Sequence, residues 1–144
     1  MTDETKMTKE FLYDFIHRHF TGIVSTISAE NNPEAAYVLI AATPDLEIIF
    51  DTVKTSRKYA NILQNPRVAA VIGWDDEITV QYEGSARVLG GDEDDMYREF
   101  YYSVSPDGRE RARTWPDLVH IMVSPSWIRY SDFKPDGFID EMRF

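Results

Sequence analysis

Between Thr8 and His19, Phe11, Leu12, Phe15 and Ile16 recur at helical spacing while Lys9, Asp14 and Arg18 fall on the opposite face, which predicts an amphipathic helix. From Gly22 the pattern changes to β-branched runs cut by turn signals: Ile23 to Ser28, Asn31-Asn32-Pro33, Ala35 to Ala41, Pro44-Asp45, then Leu46 to Val53. These predict three consecutive antiparallel strands. A short helix is expected from Ser56 to Gln64, with Tyr59, Ile62 and Leu63 on one face and Asn65-Pro66 as its stop. Arg67 to Trp74 reads as a strand. After Asp75-Asp76, Ile78, Val80, Tyr82, Ala86 and Val88 alternate with Thr79, Gln81, Glu83, Ser85 and Arg87, the clearest period-two signal of the chain and a long strand with one buried face. Asp92 is expected to cap a helix running to Tyr102, Pro106-Asp107-Gly108 to break it, and two last strands to cover Leu118 to Val123 and Trp127 to Phe133.

Seven short strands and three helices leave little chain for long crossovers. The expected architecture is therefore a closed or partly closed antiparallel barrel, because closure removes exposed strand edges. The 144 residues fit one domain, 1–144, since independent cores form in units of roughly 100 to 200 residues. Composition changes the picture mainly by exclusion. A formal charge of -10 repels nucleic-acid phosphates and anionic membrane surfaces. The absence of cysteine removes disulfides, thiolate metal sites and a cysteine nucleophile. The polar N-terminal stretch has no apolar signal region, and no window approaches the roughly 18 apolar residues of a membrane span, so a cytoplasmic location is expected.

The strongest candidate for chemistry is Thr52-Val53-Lys54-Thr55-Ser56-Arg57-Lys58, where three cations and three hydroxyls crowd the junction of a strand and a helix start. Free amides of a first helical turn, the helix dipole and the Arg57 and Lys58 donors together suit a phosphate dianion. Basic residues at a helix start otherwise oppose the dipole. A hydroxyl N-cap followed by solvated basic side chains explains the same residues, and this reading stays open beside the first. His17 and His19 lie two apart on a helix and read as surface residues, not as a metal pair. His120 reads as a core or interface histidine, and Asp92-Glu93-Asp94-Asp95 as helix capping without the spacing of a calcium loop. No metal site is expected. Tyr97, Phe100, Tyr101, Tyr102 and Trp115 read as core or subunit contact, with a ring-stacking platform as the alternative. Serine-hydrolase, Walker and Rossmann fingerprints do not occur.

The string Phe50-Asp51-Thr52-Val53-Lys54-Thr55-Ser56-Arg57-Lys58, continued by Asn61-Ile62 and Asn65-Pro66-Arg67-Val68, resembles the pyridoxamine 5'-phosphate oxidase-like split-barrel family, in particular its general-stress-protein branch. Val80-Gln81-Tyr82-Glu83-Gly84-Ser85-Ala86 is similar to the family's strand with a Glu-Gly signature, and Pro125-Ser126-Trp127-Ile128-Arg129-Tyr130 to its closing strand. The resemblance implies a mainly β fold with flanking helices, a split antiparallel β-barrel of Greek-key type, and a homodimer holding FMN in two clefts at the subunit interface. It implies that Thr52, Ser56, Arg57 and Lys58 hold the phosphate, that Gln81 lies near the flavin ring or ribityl chain, and that the backbone of Tyr37, Val38, Leu39 and Ile40 lines the isoalloxazine. The chain departs from the oxidase at Ala35 to Ile40, which lacks the basic residues of the second strand. No Arg-x-His element occurs in Asp132 to Phe144, and Ser131 replaces a tryptophan. The expectation is a flavin-dependent oxidoreductase of unknown substrate and electron donor, without the pyridoxamine 5'-phosphate oxidase activity and with no assigned catalytic residue. The alternatives are a non-catalytic flavin-binding or stress-related protein, or the same barrel holding haem or a deazaflavin.

Overall fold

The computed structural model describes residues 7–144; residues 1–6 of the expected single domain lie outside the described residues. Helix α1 (Lys9–His19) starts at Thr8, whose Oγ1 accepts the Phe11 amide at 3.0 Å, and it buries Leu12, Phe15 and Ile16 against the sheet. Phe20, at φ 32, takes the left-handed turn that ends it. His17 and His19, expected at the surface, are half-buried instead. The His17 ring nitrogen Nε2 lies 3.2 Å from the Ala42 carbonyl, and the His19 ring packs 4.2 Å from that of Phe15.

The strands are β1 (Thr21–Ile27), β2 (Pro33–Leu39), β3 (Ala41–Ala42), β4 (Ile48–Val53), β5 (Arg67–Ile72), β6 (Ile78–Val88), β7 (Leu118–Asp132) and β8 (Ile139–Arg143). They form one antiparallel sheet in the order β2-β1-β5-β6-β7-β4-β3, with β8 paired to β7. One edge strand ends at Leu39 and the other begins at Ala41, so a single residue, Ile40, joins the two edges. The sheet therefore curls on itself as a split barrel. Strands β5, β6 and β7 lie side by side in chain order, β6 and β7 joined through the long helical connection 89–117, and β4 lies beside β7, which makes the Greek-key order.

Several boundaries differ from expectation for identifiable reasons. The third expected strand, β4, pairs with β7 and β3, because Ile40 carries the chain from one edge of the curl to the other. The two expected last strands are one, β7, whose register shifts opposite Glu83 and Gly84; Pro125 and Ser126 mark a bulge in the gap expected between the two strands. Gly84 is required there, since a Cβ would stand 2.2 Å from the Ser124 carbonyl oxygen. Asp92 does not cap a helix. Residues Asp92–Asp94 form a 3-10 turn, and the Asp94 carboxylate takes the Arg87 guanidinium at 2.9 and 3.0 Å and the Gly90 amide at 2.6 Å. Helix α3 (Asp95–Val104) follows, and a further helix, α4 (Gly108–Thr114), occupies the segment where only a break was expected.

The core fills the curl with Ile40, Leu46, Ile48, Ile49, Phe50, Ile72, Val80 and Tyr82, closed by the apolar face of α1. The Tyr82 hydroxyl lies 2.7 Å from the Leu46 carbonyl and 3.0 Å from that of Val123, and burial pushes this phenol well above its ordinary range. Helix α2 (Arg57–Gln64) leaves the end of β4 and lies against β1, burying Asn61 and Ile62. Among the described residues no helix is long and apolar enough to cross a membrane.

Candidate functional site

Helix α2 begins where it does because Ser56 is extended, with φ -75 and ψ 153, and its Oγ accepts the Tyr59 amide at 3.2 Å. Thr52 donates its hydroxyl to the same Oγ at 2.8 Å, which ties the end of β4 to the helix start. The turn between them is closed by the Ser56 amide on Val53 O at 3.0 Å and anchored to the strand opposite by the Lys54 amide on Asp117 O at 3.0 Å. In this geometry the Arg57 and Lys58 amides have no intrahelical acceptor, so the helix start presents donors and the positive end of its dipole.

Beside this junction lies an open cleft of about 440 Å³, within the roughly 300–1,000 Å³ common for small-molecule sites. Tyr37, Val38 and Leu39 of β2 form one wall, and Asp51, Thr52, Val53, Ser56 and Lys58 the floor and one end. The opposite wall comes from α3, α4 and the start of β7 through Tyr101, Arg111, Trp115 and Leu118. Lys58 is half-buried; desolvation lowers its amine from the ordinary lysine range, and the Asp51 carboxylate works against that shift. A partly desolvated cation of this kind gains from an anionic ligand.

Arg111 is anchored rather than free. Its Nε and Nη2 donate to Asp51 Oδ2 at 3.3 and 3.1 Å, and Nη2 also lies 3.2 Å from the Tyr101 hydroxyl and 3.1 Å from Ser105 Oγ. This network holds α4 to β4 and to the end of α3. Burial first, and Asp51 second, push the Tyr101 phenol up to about 12, so it stays protonated as a hydrogen-bonding group at neutral pH. Directly across from Asp51 on β7, His120 is buried with its ring edge-on to Tyr101 and Tyr102, at 5.7 and 5.5 Å. Its Nε2 has no hydrogen-bond partner among the described residues, and burial lowers its pKa.

Six of the expected site residues, Tyr37, Val38, Leu39, Thr52, Ser56 and Lys58, thus line one cleft. Three do not. Arg57 sits at the helix start but is largely exposed, with Nη1 donating to Glu34 Oε2 at 3.2 Å. Ile40 is fully buried in the core. Gln81 is exposed on β6 and lines a separate, smaller cleft of about 150 Å³ with Ile23, Ser25, Val71 and Trp127. Of the aromatic cluster, Tyr101 is core and cleft wall, Trp115 is half-exposed in the cleft, and Tyr97 and Tyr102 pack under Arg87 and Arg109 at 5.8 and 4.6 Å. Asp51 and Arg111 escaped the sequence reading. The available signal was a carboxylate inside an otherwise apolar strand, which requires a distant cationic partner.

The curled sheet and the cleft at its strand-to-helix junction define a small split-barrel protein. The chain belongs to the pyridoxamine 5'-phosphate oxidase family, which it matches over residues 8–132. The pyridoxine/pyridoxamine 5'-phosphate oxidase of Bacteroides thetaiotaomicron is 36% identical over 125 residues, covering 81% of this chain and 59% of that protein. The corresponding Bordetella avium protein is 37% identical over 75 residues, covering 51% of this chain and 36% of that one; the chain thus spans less than two thirds of the length of these curated relatives. Among solved structures, a heme binding protein from Mycobacterium smegmatis superposes with a TM-score of 0.80 at 15% identity, covering 97% of this chain and 60% of the other. General Stress Protein 26 from Bacillus anthracis superposes at 0.72 with 23% identity, covering 94% and 98%. A pyridoxamine 5'-phosphate oxidase-related, FMN binding protein from Nostoc punctiforme superposes at 0.73 with 9% identity, covering 97% and 99%. At such identities these three likenesses establish the fold.

Proposed function

We propose that this protein binds FMN in the cleft beside α2 and acts as a flavin-dependent oxidoreductase on a small-molecule substrate. The observation that carries the reading is the convergence of Tyr37, Val38, Leu39, Thr52, Ser56 and Lys58 on one cleft at a helix start. Membership of the oxidase family and the FMN-binding name of the Nostoc neighbour support it. The donor set fits a phosphate: two amides without intrahelical acceptors, the half-buried Lys58 ammonium, and the Ser56 hydroxyl, whose oxygen accepts from Thr52 and the Tyr59 amide and so keeps its own hydrogen to donate. The apolar flanks of Val38, Leu39 and Leu118, with the rings of Tyr37 and Trp115, suit the planar remainder of the molecule.

FMN, when bound, supplies the hydride- and electron-accepting chemistry. The chain's residues bind and orient. Lys58 and the α2 amides fix the phosphate, the β2 wall excludes water from one side, and the Asp51-Arg111 pair holds α4 as the opposite wall. We include pairing of two copies in the proposal, because Gln81, which the family resemblance sets near the flavin, lines a different cleft of its own chain from Lys58 and would meet a cofactor beside α2 from a second copy. Purified protein is expected to carry or take up FMN with visible flavin absorbance, and NADH or NADPH to bleach it. A protein that ignores FMN refutes the reading. Flavin that binds but is never reduced leaves a binding role, and mass spectrometry of released ligand separates FMN from haem or a deazaflavin. Sedimentation at low concentration tests the pairing.

A further inference from the structure

Arg57 is the first residue of α2, yet its guanidinium is turned to Glu34 on β2, with Nη1 to Oε2 at 3.2 Å. Glu34 is not a casual surface partner: its side chain is only 19% exposed, and its other oxygen, Oε1, accepts the Asn61 carboxamide Nδ2 at 2.8 Å. Asn61 is itself buried, and the same Nδ2 donates to Thr26 Oγ1 at 2.9 Å. Thr26 and Glu34 face each other in the β1-β2 register, so one carboxamide from α2 bridges both strands and fixes the Glu34 rotamer. The result is a carboxylate built into the helix start of an anion-facing cleft.

We propose that Glu34, held by Asn61, is a specificity-determining residue of the cleft: it withholds Arg57 from an incoming phosphate group and lowers the site's preference for a doubly charged anion. The inference rests on the reading that an anion docks at the start of α2. A mobile carboxylate would swing away when a phosphate arrived, whereas one tied by a buried donor stays and competes for the same guanidinium. Lys58 lines the cleft, and no carboxylate among the described residues lies within salt-bridge distance of it, so the phosphate falls to Lys58 and the helix amides while Arg57 stays paired.

Glu34→Gln keeps an oxygen for Asn61 and removes the charge. Inorganic phosphate titrated into isotope-labelled protein, followed at the Arg57 and Lys58 amides, is expected to bind the variant more tightly than the wild type by a factor on the order of ten, the size of one charge-assisted contact. Arg57→Ala should lower phosphate affinity far more in the Glu34→Gln background than in the wild type, a coupling that loss of packing alone does not produce. FMN should follow phosphate, and riboflavin, which lacks the phosphate, should not change. Unchanged or weaker phosphate binding by Glu34→Gln, or equal Arg57→Ala losses in both backgrounds, overturns the proposal. Arg57→Ala in the wild type serves if Glu34→Gln does not fold: a phosphate loss as large as that of Lys58→Ala would show Arg57 already engaged and overturn it too. Phosphate binding that responds to Glu34→Gln in a protein indifferent to both flavins would uphold Glu34's role and refute the flavin reading.

Discussion

Lys58→Met tests the cofactor site most directly, because it removes the ammonium and keeps most of the apolar stem. Lys58 lines the cleft, is half-buried and already has its amine pKa lowered by desolvation, so its charge is poorly solvated before any ligand arrives. A charge-assisted hydrogen bond from such a group contributes roughly 1.5–3 kcal/mol, and each 1.4 kcal/mol or so is tenfold in Kd. FMN affinity should therefore fall by about 10- to 100-fold in the variant. Arg57→Ala should cost no more than a few-fold, since its guanidinium is largely exposed and paired with Glu34, and exposed pairs contribute roughly 0.2–1 kcal/mol. Quenching of flavin fluorescence measures both, with riboflavin as the control that lacks the phosphate. If Arg57→Ala weakened FMN more than Lys58→Met, or if riboflavin fell in parallel with FMN, the phosphate would not sit at Lys58.

Tyr82→Phe should destabilise the protein by about 1–3 kcal/mol in chemical denaturation, because it strips a buried donor from the Leu46 and Val123 carbonyls; a neutral effect would mean that those carbonyls have other partners. Burial lowers the His120 pKa below 6.5, so between that lowered value and 6.5 the unfolded chain holds a proton that the folded chain refuses. Stability therefore rises with pH through this window and is lost as pH falls below 6.5. His120→Phe should flatten part of the slope, His19, whose pKa is also lowered, retaining the rest; an unchanged slope refutes the assignment. Asp51→Asn should raise amide hydrogen exchange across residues 108–114 while β6 keeps its protection, since Asp51 anchors α4 through Arg111; protection of α4 equal to wild type would show that the pair does not hold the cleft wall.

How far the chain could be read from its letters depended on whether a residue's partners were near in sequence. The alternation of Ile78 to Val88 was legible because β6 buries one face along most of its length, and Val80, Tyr82 and Ala86 record it in every second position. The junction of Thr52, Ser56 and Lys58 was legible for the same reason, a cap and its helix being local. Strand β8 left no such trace: its half-covered positions at the sheet edge are Asp140 and Met142, while Ile139 is exposed beside Glu141 and Arg143, so neither face reads as apolar. Helix α4 carries Arg109, Glu110, Arg111 and Arg113 and no apolar stripe, since it is held by a polar network rather than by packing. Ser124, Pro125 and Ser126 interrupt the apolar pattern of β7 and so split one bulged strand into two. The Asp51-Arg111 pair spans 60 residues, and the distance that hid it from pattern reading lets it close the cleft from the far side.

That pair also bears on how an acidic protein can hold an anion. Of the three cations that lie on α2 or line the cleft, Arg57 is matched by Glu34 and Arg111 by Asp51, leaving Lys58 and the α2 dipole, the latter equivalent to about half a charge. A phosphate dianion exceeds this local compensation, and it approaches a chain of formal charge -10. The two influences differ in range. Repulsion from the surface acts over distances that salt screens beyond roughly 10 Å at 0.1 M, whereas contacts with half-buried Lys58 and the amides are screened far less. Rising ionic strength therefore removes repulsion sooner than attraction, and phosphate or FMN affinity should stay flat or rise slightly up to moderate salt. A steep fall with salt, of the kind seen when several exposed cations clasp a phosphate, would mean that Arg57 and Arg111 leave their carboxylates to bind it.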